Sequence, residues 1–122
     1  MAFLKVAHPS PGAGNRGVEF SVQGGTAADI NDTPGVLVPA LAGHIAVLDH
    51  LMLSTTAAEL CYIRAGSDDL TGAIHTVALE SMPLELPAPL RSDVANEAIT
   101  IYAASAAVGY WTAWFHYEKR SI

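Results

Sequence analysis

Histidines are the residues of this sequence whose chemistry would suit a metal ion. The chain contains five: His8, His44, His50, His75 and His116. His44 and His50 fall six positions apart on one side of a predicted strand, which separates their side chains by ~20 Å at ~3.3 Å per residue. No two histidines have the spacing that brings ligands together on one strand or helix. We therefore expect no metal and no cofactor within one subunit, while a metal on a symmetry axis stays open.

Other catalytic groups also lack the surroundings that their chemistry requires. Cys61 is the only cysteine, which excludes an internal disulfide, and it lies in an alternating segment that predicts a buried, inert thiol. The Gly-rich residues 12–17 have no preceding strand and no following helix to form a phosphate or dinucleotide loop. Asp68 and Asp69 lack the further oxygen ligands of a calcium loop. These patterns predict a protein that is not an enzyme.

The aromatic segment at residues 109–119 is the most distinctive run in the sequence. In a strand, alternate residues point to opposite faces. One predicted face contains Trp111, Ala113, Phe115 and Tyr117, and the other contains Tyr110, Thr112, Trp114 and His116. Such rings can stack on sugars or on single-stranded bases. Because the sequence has no basic groove and the rings lie on a strand, we favour a core on one face and a subunit or loop contact on the other.

Strand-sized segments separated by Gly, Pro and Asp occur throughout the chain, and helical periodicity is weak. Residues 18–23 alternate and end at Gly24 and Gly25, residues 36–38 stop at Pro39, and residues 59–65 lead into a turn at residues 66–69. Residues 44–55 form a long strand in which Asp49 falls on the apolar side. A bulge near Leu48 and Asp49 would shift the phase and remove this conflict.

Two further segments complete the predicted sheets. Three prolines between residues 83 and 89 predict an edge strand or an extended crossover. Residues 97–105 direct Ile99, Ile101 and Ala103 inward, with Thr100 and Tyr102 outward. The pattern as a whole predicts an all-β antiparallel sandwich of about eight strands in one domain over residues 1–122, with the sandwich itself over residues 17–122.

Composition limits the partners of this domain. The chain has 122 residues and a net charge of −6, and its six Lys and Arg residues form no basic stripe, so we expect no nucleic-acid partner. No apolar run approaches the ~20 residues of a membrane span, and the first residues lack the pattern of a signal peptide, which predicts synthesis in the cytoplasm and no membrane partner. Only 15% of the residues are charged, against ~25% in a typical domain, which predicts a surface partly covered by other subunits.

The first 16 residues predict an extended N-terminal arm, because prolines and glycines interrupt them repeatedly. The arm begins with the apolar residues Phe3, Leu4 and Val6. These side chains either dock on a neighbouring subunit or pack back on their own domain. We name Phe3, Leu4, Val6, Tyr110 and Trp114 as the candidate interface residues.

A series of short phrases over about residues 36–119 resembles small jelly-roll proteins of tailed bacteriophages. The phrases are LAGHIAV at 41–47, YIRAGS at 62–67, LTG at 70–72, MPLELP at 82–87, NEAITI at 96–101, VGYW at 108–111 and YE at 117–118. The family comprises head decoration proteins, also called cement proteins, and related auxiliary head and fibre domains. This chain differs from the family pattern in lacking a Gly-rich loop at residues 91–95 and in having a longer arm.

The resemblance implies a jelly-roll homotrimer in the virion that binds the major capsid protein on the outside of the phage head and stabilises the shell. The alternative that it implies is a trimeric receptor- or carbohydrate-binding domain of a head fibre or tail. A cupin-like enzyme would need a histidine set with strand spacing, which the sequence lacks.

Overall fold

The protein is a sandwich of two antiparallel β-sheets, which confirms the predicted fold class. The computed structural model describes residues 3–7, 19–84, 86, 88–92 and 94–119, and for residues 3–7, 19 and 20 it describes the backbone alone. Within these ranges there are eleven strands and no helix. They are β1 (Phe3–Ala7), β2 (Glu19–Ala27), β3 (Gly35–Val38), β4 (His44–Thr55), β5 (Leu60–Ala65), β6 (Asp68–Asp69), β7 (Ile74–His75), β8 (Met82–Leu84), β9 (Leu90–Arg91), β10 (Ile99–Ala103) and β11 (Gly109–Lys119).

The larger sheet has the order β1-β2-β11-β4-β8, with β9 also paired to β4. The smaller sheet has the order β3-β10-β5-β6, with β7 also paired to β5. Three strands, β6, β7 and β9, are only two residues long. The chain passes from one sheet to the other repeatedly, between β2 and β3, β3 and β4, β4 and β5, β7 and β8, β9 and β10, and β10 and β11.

Strands β4 and β11 form the centre of the larger sheet and pair along their whole length. The register shifts between Trp114 and Phe115, which lie opposite His50 and Leu48, so that Asp49 is the extra residue of a bulge. Ala46, Leu48, Leu51 and Leu53 are consequently all buried between the sheets. The predicted bulge is confirmed.

The bulge corrects the prediction that His44 and His50 share a face. His44 has an edge-on ring contact with Tyr117, while His50 has one with Trp114. Tyr117 and Trp114 differ by an odd number of positions on β11 and point to opposite faces. The extra residue reverses the phase of β4, so the two histidines lie on opposite sides of the sheet.

The core is filled by alternate residues from both sheets. Ile99, Ile101 and Ala103 of β10 are fully buried, as predicted, and so are Ala113 and Phe115 of β11. The Tyr117 hydroxyl donates a hydrogen bond of 2.7 Å to the carbonyl of Pro39, just after β3 in the facing sheet. The core thus extends along most of β11.

Strand β2 continues through Gly24 and Gly25 to Ala27, so the prediction that these glycines end it is wrong. Gly25 lies opposite Trp111, and a Cβ there would come within 2.6 Å of the indole Nε1. Gly35, on the facing sheet, also leaves room for the indole ring. Glycine in a strand marks a close approach, and here it admits the ring of Trp111, which is only 6% exposed.

Pro83 lies in an edge strand, as predicted, whereas the predicted turn at residues 66–69 is shorter, because Asp68–Asp69 is strand β6. Strand β8 pairs with Leu51–Leu53 of β4 at an edge of the larger sheet and contains Pro83. Strands β5 and β6 form a hairpin whose turn includes Gly66 with a φ of 61°. Only glycine adopts this backbone conformation without a steric penalty.

The apolar start of the chain adds a strand to its own domain. Residues 3–7 pair with Glu19–Gln23 of β2 and form an edge of the larger sheet. The sequence left two alternatives, docking on a neighbouring subunit or packing on the same domain. The backbone pairing of residues 3–7 agrees with packing on the same domain. Residues 8–16 of the predicted arm lie outside the described residues.

Replacing Gly25 by alanine should destabilise the fold, because the new methyl group would overlap the Trp111 indole. Overpacking of this kind costs about 1–3 kcal/mol in the free energy of unfolding, measured by urea denaturation. Gly24→Ala is the matched control, since its Cβ would meet only the Trp111 carbonyl oxygen, at 3.7 Å. Equal losses in the two variants would contradict this account of the glycine pair.

Candidate functional site

The outer face of the larger sheet carries the second set of side chains from β11. Trp111, Ala113 and Phe115 point into the core, so Tyr110, Thr112 and Trp114 point outward. Tyr110 is 49% exposed, and Trp114 is half-buried. The sequence predicts that one face of this strand fills the core, and the burial of Trp111, Ala113 and Phe115 confirms this prediction for the inner face.

The pairing of the strands defines which residues surround these rings. Directly opposite residues in antiparallel strands share a face. We call the resulting surface the aromatic face; it consists of Val22, Gly24 and Thr26 from β2, Tyr110, Thr112 and Trp114 from β11, His50, Met52 and Ser54 from β4, and Pro83 from β8. None of these residues is Asp, Glu, Lys or Arg. The aromatic face therefore combines rings, hydroxyl groups and a thioether without a permanent charge.

The smaller sheet presents a different outer surface. Its strands and adjoining loops contain the acidic residues Asp29, Glu59, Asp68, Asp69 and Glu97. Arg64 donates to Asp69 over 2.6 Å and stacks on the Tyr102 ring, 4.2 Å from its centroid. These acidic residues lie in the edge strand β6 and in loops, while the outward residues of β5 and β10 include Tyr62, Arg64 and Tyr102. The outer side of the larger sheet has charged groups beyond Trp114, where Asp49, Arg91 and Glu118 lie. The uncharged part of that sheet is therefore the aromatic face itself.

Two depressions adjoin the exposed side chain of Met52 on the aromatic face. The larger, of about 440 Å³, lies among His50, Pro83, Leu84 and Trp114. The smaller, of about 150 Å³, lies among Ser54, Ser81, Tyr110 and Thr112. The first is bounded mainly by apolar side chains, while the second combines four hydroxyl-bearing residues with Met52, Leu53 and Trp111. Met52, at 38% exposure, is the residue that they share.

A hydrogen-bonded pair lies on β4 and β11 beyond Trp114, where the bulge occurs. The His116 Nδ1–H donates to the Asp49 carboxylate over 2.7 Å, and both side chains are largely buried. Glu118 lies 3.6 Å from His116 Nε2 and also accepts a hydrogen bond of 2.6 Å from Arg91. The pKa of His116 is raised, and its hydrogen bond to the Asp49 carboxylate is the largest cause. The negative charges of Asp49 and Glu118 raise this pKa further, while burial acts in the opposite direction.

The thiol of Cys61 is buried, as the sequence predicts. Burial first, and then the charge of Glu59, raises its pKa to about 11. The thiol is therefore protonated at neutral pH, whereas a nucleophile or a metal ligand has to be a thiolate. Within the described ranges, no group of three His, Cys, Asp or Glu side chains is arranged to hold a metal ion.

The structure brings some of the sequence-predicted interface residues together and leaves others apart. Tyr110 and Trp114 lie on the aromatic face, whereas Phe3, Leu4 and Val6 belong to β1, at the edge of the same sheet. The side chains of these three residues lie outside the description. The sequence prediction missed Met52 and Pro83 as members of this face, because only the long-range register places them beside the rings.

Comparisons with known proteins identify no relative. No protein-family model matches the chain, and neither a curated protein nor a solved structure is significantly similar to it. The part of the chain that the structure describes also contains no helix capable of spanning a membrane.

The His116–Asp49 pair should make stability depend on pH. Because the folded-state pKa of His116 is raised, the contribution of the pair is complete below the unfolded value of ~6.5 and is lost as pH rises through the folded value. Asp49→Asn should cost about 1.5–3 kcal/mol of unfolding free energy near pH 6 and less near pH 9. Urea denaturation at several pH values measures this.

Asp69→Asn is the control for this experiment. Asp69 pairs with Arg64, whose guanidinium stays charged over the whole range, so the cost of removing Asp69 should not change between pH 6 and pH 9. If the loss of unfolding free energy in Asp49→Asn were also independent of pH, the pH dependence could not be assigned to the His116–Asp49 pair.

Proposed function

We propose that this protein is a capsid decoration protein of a tailed phage, which binds the major capsid protein on the outside of the head and stabilises the shell. The observation that carries the proposal is the aromatic face, none of whose ten residues is Asp, Glu, Lys or Arg. An uncharged surface rich in rings suits a protein contact, because charged residues are depleted and Tyr, Trp and Met enriched in the centres of interfaces.

The strand order supports the jelly-roll part of this proposal. A jelly roll is a double sheet built from two Greek keys, in which the chain must change sheets repeatedly. Six connections in this chain cross between the sheets. The sequence phrases that resemble phage head proteins begin at Leu41, between β3 and β4, and end at Glu118 in β11. A homotrimer in the virion is the assembly that the resemblance implies.

Binding to capsid shells tests the proposed function. Empty expanded shells of the major capsid protein from the same phage are mixed with the full chain and sedimented, and the bound amount is measured against concentration. We expect saturable binding and a higher thermal disruption temperature of the shells. Failure of the full chain to bind such shells would overturn the proposal.

Tyr110→Ala should weaken shell binding at least tenfold, because a large exposed ring that becomes buried in an interface contributes more than ~1.4 kcal/mol. The matched control is Tyr62→Ala, since Tyr62 is an outward-facing tyrosine of the smaller sheet. The control should bind as the unchanged protein does. Equal weakening by both substitutions, with both variants folded, would contradict docking through the aromatic face.

A carbohydrate- or receptor-binding domain of a head fibre or tail is the second candidate. It is favoured by the hydroxyl groups of Thr112, Ser54 and Thr26, which lie between or beside the rings and could bond to sugar hydroxyls. Glycan-array binding that is lost in a folded Trp114→Ala variant would establish this function in place of the first.

A further inference from the structure

We infer that the aromatic face receives an extended, uncharged segment of the major capsid protein, with a large apolar side chain in the depression beside Trp114 and a small polar one, two positions along, in the depression beside Tyr110. This inference rests on the proposed function. It adds which part of the partner binds, in what conformation and with which side chains.

The charge distribution selects an uncharged segment. None of the ten residues that form the aromatic face is Asp, Glu, Lys or Arg, so a charged group entering its centre would lose water without gaining an opposite charge from them. The charged pairs of the same sheet, Asp49 with His116 and Arg91 with Glu118, lie beyond Trp114 and are already engaged with each other. The aromatic face therefore suits a neutral segment.

The spacing of the depressions selects an extended conformation. One depression lies between the levels of His50 and Met52, and the other between those of Met52 and Ser54 on the same strand. Their centres are thus about two residues apart along β4, which is ~6.6 Å at ~3.3 Å per residue. Side chains at positions i and i+2 of an extended segment project on one side with this same separation.

The walls of the depressions select the side chains. Trp114, Leu84 and Pro83 bound the larger one and offer apolar contact to a large aliphatic or aromatic group. Ser54, Ser81 and Thr112 bound the smaller one and offer hydroxyl groups to Ser, Thr or Asn. Met52 lies between the two, and its unbranched thioether can adapt to the segment that crosses it.

Peptides spanning the major capsid protein test the inference. Overlapping nine-residue peptides are measured for binding to the full chain by fluorescence anisotropy, beside the shell-binding assay. We expect binding peptides to carry a large apolar residue two positions from Ser, Thr or Asn, with no charged residue between them.

Met52→Lys should lower the affinity for these peptides and for the shells at least tenfold, since it introduces a charge between the two depressions. Val36→Lys is the matched control, because Val36 is 40% exposed on β3 of the other sheet and its substitution should leave both affinities unchanged. Ser54→Arg provides a second disruptive variant if Met52→Lys lowers the thermal midpoint.

The outcomes separate the inference from the proposed function. Shell binding that survives Met52→Lys and Ser54→Arg, or binding peptides that are charged or lack the i, i+2 pattern, would overturn the inference and leave the decoration function in place. Absence of shell binding by the unchanged protein would overturn the decoration function itself. Displacement of a bound peptide by a neutral oligosaccharide would assign the face to a glycan and overturn the inference.

Discussion

The phase of strand β4 against strand β11 is the constraint on which the rest of the structure depends. A shift of one residue in a strand moves every following side chain to the other face. Without the extra residue at Asp49, the apolar residues on one side of the bulge would face solvent while those on the other side faced the core. The bulge lets one strand of twelve residues contribute buried side chains on both sides of that point.

The same phase shift determines the surface chemistry. It puts His50, Met52 and Ser54 level with Trp114, Thr112 and Tyr110, so the outward residues of the two central strands form one continuous uncharged surface. It also turns Asp49 away from the core and towards His116, which donates a hydrogen bond to the Asp49 carboxylate. A carboxylate between the sheets without a partner would carry a large desolvation cost. The core, the aromatic face and the hydrogen-bonded pair therefore follow from one backbone irregularity.

Local patterns in the sequence were sufficient for the sandwich. Alternation identified the inward residues of β10 and β11, the misplaced Asp49 indicated the bulge, and Pro83 indicated an edge. Such local patterns could not predict contacts between residues that are far apart in the sequence. Gly24 and Gly25 look like a turn in isolation, and only the position of the Trp111 ring, some eighty residues later, explains why Gly25 lies inside a strand. Met52 and Pro83 join the aromatic face for the same kind of reason, since register decides their neighbours.

The two tryptophans of the chain lie three positions apart on β11 and belong to different environments. Trp111 is enclosed between the sheets, and its buried indole Nε1–H has no hydrogen-bond partner among the residues that the structure describes. Trp114 is half-buried on the outside beside His50. Indole emission depends on the polarity around the ring. The strand consequently contains two intrinsic optical reporters: the inner one responds when the sheets separate, and the outer one responds when a molecule covers the surface while the fold stays intact.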